Sequence, residues 1–358
     1  MRPKLPLADR ITPYLGAIDL SRIYTNFGPL SLSLETRLAA HFGVGNAAIC
    51  MTANATQGLT LALSTLAARP GTLCVMPAWT FVASAHAAVS AGLTPYFVDV
   101  DPQTWALNPE SMDEVIARAP GTVGAIMPVA PFGRPIDVLS WDRYRARTGL
   151  PVVIDAAAGF DSVVPGKTPV VVSLHATKVI GVGEGGFVMT TDEAVINGLR
   201  ARSNFGFNGA RMSIAASTNA KLSEYHAAVG HASLDEWTGA RAEWMAVAAA
   251  YRKILPESNR IKYQVGFGTD WIASTCVLYL PGSDANGMES ALADAGIETR
   301  RWWGDGTHLH PSTAKFPRSA LHVTENLAKS TLSVPFYRDL DPTQIEKVAA
   351  ALQAEMVT

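Results

Sequence analysis

Cysteine is scarce in this 358-residue chain: Cys50, Cys74 and Cys276 stand far apart inside apolar runs, and no CxxC pair occurs. That excludes a disulfide framework and a cysteine zinc cage, and leaves buried thiols in a reducing compartment as the plain reading. An excess of either charge is also missing. The 29 basic and 31 acidic residues are mixed along the chain and give a net charge of −2, so there is no nucleic-acid footprint and no acidic tail. No stretch offers ~18 uninterrupted apolar residues, and the opening MRPKLPLADRITPYLG has no signal-peptide apolar core. A soluble cytoplasmic protein without a membrane or nucleic-acid partner is expected. Charged residues are only 17% against 48% hydrophobic, which permits a sizeable core and excludes global disorder.

What is present alternates. LETRLAAHFGV (34–44) has helical spacing and NAAICM (46–51) reads as a buried strand. Further strands are expected at 72–77, 94–100, 123–129 and 150–156. Helices are expected between them at 55–68, 80–92, 111–119 and 136–149. Strands spaced by helices predict a mostly parallel central sheet covered on both faces. Segments 169–174 and 186–191 are joined only by a Gly-rich loop and predict a hairpin. One long helix is expected over 221–253. The later pattern, with a closing helix from Asp341, predicts a small C-terminal α+β domain, dividing the chain into 1–240 and 241–358.

Three features fall at C-terminal ends of predicted strands, where open α/β sheets place ligands. The first, Met51 to Thr56, runs from a strand end into a helix N-terminus, whose free amides suit a phosphate; an ordinary cap by Asn54 or Thr56 is the alternative. The second is Asp155, ending VVID among apolar residues, where a carboxylate is costly unless a cation or strong donor meets it. It suits a metal, a ribose, a protonated heterocycle or a helix cap. The third is the run from Ser173 through His175 to Lys178. Lys178 is one of nine lysines, and its apolar neighbours would disfavour its charge and make the amine nucleophilic. An exposed loop lysine is the other reading. Gly181 to Gly186 fits GxGxxG but precedes a strand instead of opening a helix, so it is not a dinucleotide fingerprint. A phosphate cradle, a buried acid and a desolvated lysine are together consistent with pyridoxal phosphate.

Several ordered motifs carry a resemblance beyond this: SLHATK followed by GEGG, VIDAAAGFD, PAWTFVASAHAAVSAGLTPYFVDVD and TNAKLSEYHAAVG. With TNFGPLSLSLETRLAAHFGV and TLSVPFYRDLD at the ends, they resemble the DegT-type sugar-nucleotide aminotransferases of pyridoxal phosphate fold type I. The resemblance implies that Lys178 forms the Schiff base with pyridoxal 5'-phosphate and acts as base, and that Asp155 holds the ring nitrogen protonated. It implies that Phe81 stacks on the ring, with Trp79 as the alternative, and that Ser173 and the amides of Ala55 and Thr56 bind the phosphate. His175 would lie near the lysine. Asn219 would reach the cofactor phosphate of a neighbouring subunit, making a homodimer with shared sites. The implied reaction is ping-pong transfer of an amino group from an amino acid, expected to be L-glutamate, to a keto group of a nucleotide-linked deoxysugar. Polysaccharide or O-antigen synthesis is the implied setting.

The chain departs from the family pattern at three places. Asn54, Ala55 and Thr56 replace Ser-Gly-Thr, which leaves backbone donors intact. Ala158 replaces the usual Gln or His, removing a hydrogen bond. Lys221 replaces an arginine and cannot make its bidentate fork, so Arg211 is a candidate for the donor. Other readings remain open: a cyclitol or other carbocycle as acceptor, a pyridoxamine-dependent sugar dehydratase, or a non-catalytic regulatory protein. His308 and His310 near Trp302 and Trp303 are too few for a metal site and are expected to line the substrate entrance. Arg300 and Arg301 could meet a diphosphate or be solvated charges.

Overall fold

The computed structural model describes residues 2–207 and 209–357. Seven strands form the central sheet: β1 (Ile49–Thr52), β2 (Leu73–Pro77), β3 (Thr94–Val98), β4 (Val123–Ile126), β5 (Ile154–Asp155), β6 (Val170–Ser173) and β7 (Gly186–Met189). Their order is β3-β2-β4-β5-β6-β7-β1, with parallel bridges Ile126–Val152 and Val129–Asp155 joining β4 to the β5 segment. Only β7 runs antiparallel to its neighbours. The sheet is therefore mostly parallel, and β6 and β7 form the expected hairpin. The strand predicted over 150–156 contracts to two residues, with Val152 adding a single bridge.

Strand alternation divides the core into two layers. Cys50, Cys74, Val171 and Val188 pack with Leu59, Ala62, Ala85 and Leu199. Ile49, Met51, Val170, Val172 and Phe187 instead pack with Leu34, Leu38, Trp141 and Trp237. Helices thus cover both faces. All three cysteines are free and buried, and burial pushes the thiols of Cys50 and Cys74 up to about 12. Among the described residues no helix is long and apolar enough to cross a membrane.

Two departures from the expected elements have long-range causes. The second helix begins at Pro29, not at residue 34, because the buried Glu224 carboxylate accepts from the amides of Leu30 and Ser31 at 2.7 and 2.8 Å. The single helix expected over 221–253 is two, Glu224–Asp235 and Trp237–Ile254. Ser223 caps the first by accepting from His226 N, so residues 221–223 stay outside it. At the joint, Asp235 is held by Tyr14 and Arg37 while Trp237 packs edge-on against Phe160. A further helix, Ala8–Ser21, accommodates Pro13 inside it. Near the C-terminus β8 (Lys262–Tyr263), β9 (Cys276–Tyr279) and β10 (Thr331–Val334) make an antiparallel sheet ordered β10-β9-β8. Residues 240 and 241 both lie within helix Trp237–Ile254.

Candidate active site

Asp155 ends β5 where the parallel strands open, and it is only 5% exposed. Its carboxylate is held on both oxygens by neutral donors: Ser84 Oγ to Oδ2 at 2.7 Å and the Ala157 amide to Oδ1 at 3.1 Å. Ser84 is itself within 2.7 Å of Thr80 Oγ1. Burial raises the Asp155 pKa; the two hydrogen bonds and the charge of Lys178 oppose the rise. A buried carboxylate in this position lacks only a cation or an N–H⁺ donor.

Lys178 sits in the loop between β6 and β7. That loop is closed by Leu174 N to Gly185 O, Ala176 N to Gly183 O and Val182 N to Leu174 O, at 2.8–2.9 Å. Gly183, with φ of +95°, supplies the left-handed turn. Burial lowers the Lys178 pKa, opposed by the charge of Asp155. Its Nζ makes no hydrogen bond or ion pair with a described residue. In the same loop the Thr177 amide donates to His175 Nδ1 at 3.2 Å. Nδ1 must then accept, which leaves the ring proton on Nε2, 3.6 Å from Glu184 Oε1.

Across from the loop, Asn54 caps helix Ala55–Thr65 by accepting from Gln57 N at 2.9 Å. The amides of Ala55 and Thr56 find no acceptor among the described residues. Gly186 passes beneath this helix start so closely that a Cβ there would lie 2.7 Å from Ala55 N. Asp155, Lys178, His175, Ser173, Ala55, Thr56 and Phe81 all line one cavity of about 630 Å³. Phe81 is 54% exposed, so one ring face is open to a planar ligand. Trp79 is instead buried edge-on against Phe132 and Trp303 and does not line the cavity. An anion-binding helix start, a carboxylate awaiting a cationic nitrogen and an unpartnered amine on one wall fit pyridoxal phosphate.

Other expected site residues lie elsewhere. Asn219 is exposed and pairs by backbone with Asn204, outside the cavity of its own chain. Lys221 donates to Asn204 Oδ1 at 2.8 Å and lies over the Phe205 ring. Arg211 is exposed. His308 is not at the entrance: it is 3% exposed and tucked against Gly306, whose φ of +99° turns the chain inward. His310 is exposed but outside the cavity wall. From that segment, Trp302 and Trp303 do reach the cavity. So does Arg300, whereas Arg301 is tied to Asn286, Asp305 and the Ala328 carbonyl. Sequence reading missed Thr80, Glu184, Ser274 and Thr275 on the wall, and Ser84 behind Asp155. Nothing in VASAHAAVS marks Ser84, one of two serines in an alanine-rich helix.

The family described as DegT/DnrJ/EryC1/StrS aminotransferases matches residues 7–353. The chain is 29% identical over 337 residues to UDP-2-acetamido-2-deoxy-3-oxo-D-glucuronate aminotransferase of Pseudomonas aeruginosa, covering 91% of this chain and 90% of that protein. It is similar to the solved structure of DesI in the presence of its TDP-sugar product, with TM-score 0.88 and 30% identity over 99% and 91% of the two chains. A Bacillus cereus structure assigned as a PLP-dependent aminotransferase superposes with TM-score 0.89 at 26% identity, covering 99% and 98%. With the cavity built as described, these likenesses place the chain in the DegT/DnrJ/EryC1/StrS aminotransferase family, as a pyridoxal-phosphate-dependent aminotransferase.

Proposed function

We propose that the chain transfers an amino group from an amino acid, L-glutamate, to a keto carbon of a nucleotide-linked deoxysugar. The reading rests on one observation: a depressed-pKa lysine and a buried carboxylate share a cavity that has room for a cofactor and a sugar. The relatives that act on UDP- and TDP-sugars support the acceptor class.

Pyridoxal phosphate, when bound, supplies the aldehyde that carries the amino group and the ring that accepts the electron pair. Lys178, neutral more readily than an ordinary lysine, would hold that aldehyde through Nζ and would serve there as the base that takes and returns a proton. Asp155, ionised, would hold a proton on the ring nitrogen, which suits the ring to accept negative charge. Ser173 Oγ and the amides of Ala55 and Thr56 hold the phosphate. The Phe81 face limits the ring to one orientation and excludes water from one side. His175 carries its proton on Nε2 and so offers a donor to the substrate side. The working unit is a homodimer in which Asn219 completes the phosphate site of the partner. The exposed apolar residues Phe205, Phe207, Met212 and Ile214 close to Asn219 support this.

The test is a single turnover of holoenzyme with L-glutamate, followed by a mass-spectrometric screen of 3-keto and 4-keto nucleotide sugars. Stoichiometric 2-oxoglutarate and one aminated sugar are expected, and Lys178→Ala should abolish both the yellow colour and the turnover. A wild-type protein that releases no 2-oxo acid, or a Lys178→Ala variant that remains yellow and active, overturns the reading.

A further inference from the structure

A second, much smaller space opens off the main cavity. It measures about 30 Å³ and shares Ser274, Thr275, Glu298, Arg300 and Trp302 with the larger one. It forms where the chain at Arg300 pairs with β10: Arg300 N donates to Ser333 O at 3.0 Å and Ser333 N returns to Arg300 O at 2.8 Å. At roughly 10–15 Å³ for one water-sized group, it holds about two, the size of the two oxygens of one carboxylate. A sugar ring or a diphosphate does not fit.

Its lining is chemically specific. Thr299 is buried, and its Oγ1 has no hydrogen-bond partner among the described residues. A buried hydroxyl left in this state is costly and calls for a ligand or a water. Arg300 is the one guanidinium among the described residues that line either space. It lies 3.3 Å from Glu298 Oε1, with its Cζ 5.3 Å from the centre of the Trp302 ring. The pair is open to water, with the two side chains 55% and 74% exposed. Such exposed pairs contribute little, so Arg300 can leave Glu298 at small cost.

We propose that this recess binds the α-carboxylate of the amino donor, with Arg300 and Thr299 as its ligands and Glu298 as the alternate partner of Arg300. The inference rests on the aminotransferase reading above. It answers a requirement of that reaction: one site must take an anionic amino acid and then a sugar ring without charge at the reacting end. Arg300 meets the donor carboxylate in the first half. It returns to Glu298 in the second, so that no unpaired cation faces the sugar. A planar guanidinium matches a carboxylate with two parallel hydrogen bonds.

The experiment compares holoenzyme and variants with L-glutamate and with its α-amide, isoglutamine, in single turnovers. Binding of α-methyl-L-glutamate, which has no Cα proton to lose, is measured separately by calorimetry. Wild type should prefer glutamate, and Arg300→Gln should erase the preference and weaken α-methylglutamate by about 10- to 100-fold. Arg300→Lys should recover only part of it. Thr299→Val should weaken the same ligand severalfold, whereas Glu298→Gln should tighten it by removing the competing carboxylate. In Arg300→Gln, Arg300→Lys and Thr299→Val the loss should be larger in the donor half-reaction than in the keto-sugar half-reaction, whereas Glu298→Gln, which leaves Arg300 unpaired before the sugar, should raise the KM of the keto-sugar half-reaction. A preference for glutamate that survives in Arg300→Gln, or a loss confined to the keto-sugar half-reaction, overturns the proposal. Failure of the wild-type enzyme to react with any amino acid would instead remove the aminotransferase reading on which it stands.

Discussion

Ser84 Oγ donates to Asp155 Oδ2 at 2.7 Å from the first turn of helix Val82–Ser90, joining two elements 71 residues apart in sequence. The hydroxyl favours the ionised carboxylate, and it offsets part of the burial that raises the Asp155 pKa. Ser84→Ala removes that donor, so the pKa should rise further and the carboxyl should stay protonated to higher pH. The acid limb of the donor half-reaction should therefore move upward in pH, with a rate loss of roughly tenfold at neutral pH, as expected for a hydrogen bond to a charged group. Rapid-mixing kinetics across pH 5–9 measures this. An acid limb that stays in place would reduce Ser84 to a packing residue.

Without its cofactor the same carboxylate is a burden on stability. The folded protein holds the Asp155 proton to higher pH than the unfolded chain does. Stability therefore falls as pH rises from the ordinary carboxylate pKa through the raised folded value, and the cost is fully present above both. Asp155→Asn removes it. At pH 8 the cofactor-free variant should be more stable than cofactor-free wild type by ~1–2 kcal/mol, and the difference should vanish near pH 3. Pyridoxal phosphate should then raise the midpoint of thermal unfolding less in the variant than in wild type. Calorimetry at the two pH values with and without cofactor decides it, and a less stable cofactor-free Asp155→Asn would contradict the burial argument.

Only part of this site is legible in the sequence. Asp155 and Ser173 stand out because each breaks an apolar pattern at a strand end, and Lys178 because it stands in the following loop with apolar neighbours. The β6–β7 hairpin was legible because a Gly-rich loop with no helical run separates two strand-like runs. Ser84 was not, since a serine in an alanine-rich helix is ordinary until the fold brings Asp155 to it. Glu224 capping a helix 194 residues away and the orphan Thr299 hydroxyl depend on tertiary contacts for the same reason. His308 misled because it sits among aromatics. What decides its position is the positive φ at Gly306, which composition does not display.

Behind β1, Glu35 is 2% exposed and accepts from the Met51 amide at 2.9 Å and from Arg200. Burial raises its pKa and Arg200 opposes the rise. Arg200→Met would leave the carboxylate in the core without its cation. Removing one partner of a buried pair costs about 3–5 kcal/mol, and the partial exposure of Arg200 puts the expectation near the lower end. Glu35→Gln should cost less, because the amide oxygen still accepts from Met51. The deficit of Arg200→Met should shrink as pH falls from 8 to 5, since a protonated Glu35 no longer needs the arginine. Urea unfolding at both pH values checks the size and the sign, and a deficit that grows at pH 5 would contradict the assignment.

The segment from Asn204 to Asn219 is held at its base by the pairing of those two residues, and higher up by the pairing of Phe207 with Ser213. Along this segment Phe205, Phe207, Met212 and Ile214 are 49%, 37%, 69% and 63% exposed. Clustered apolar exposure on a protein surface marks an interaction site, and a second copy satisfies it under the proposed shared-site arrangement. Ile214→Lys places a charge on that surface and should shift the particle from about twice 38.1 kDa to a single chain, read by sedimentation. Its affinity for pyridoxal phosphate should fall with it, because each cavity would lose the Asn219 of its partner. Asn219→Ala separates the two effects: it should keep the larger mass while weakening the cofactor by roughly tenfold, the usual cost of a lost hydrogen bond to a charged group. A monomeric wild type, or an Asn219→Ala variant with undiminished cofactor affinity, would mean that each cavity is completed by its own chain alone.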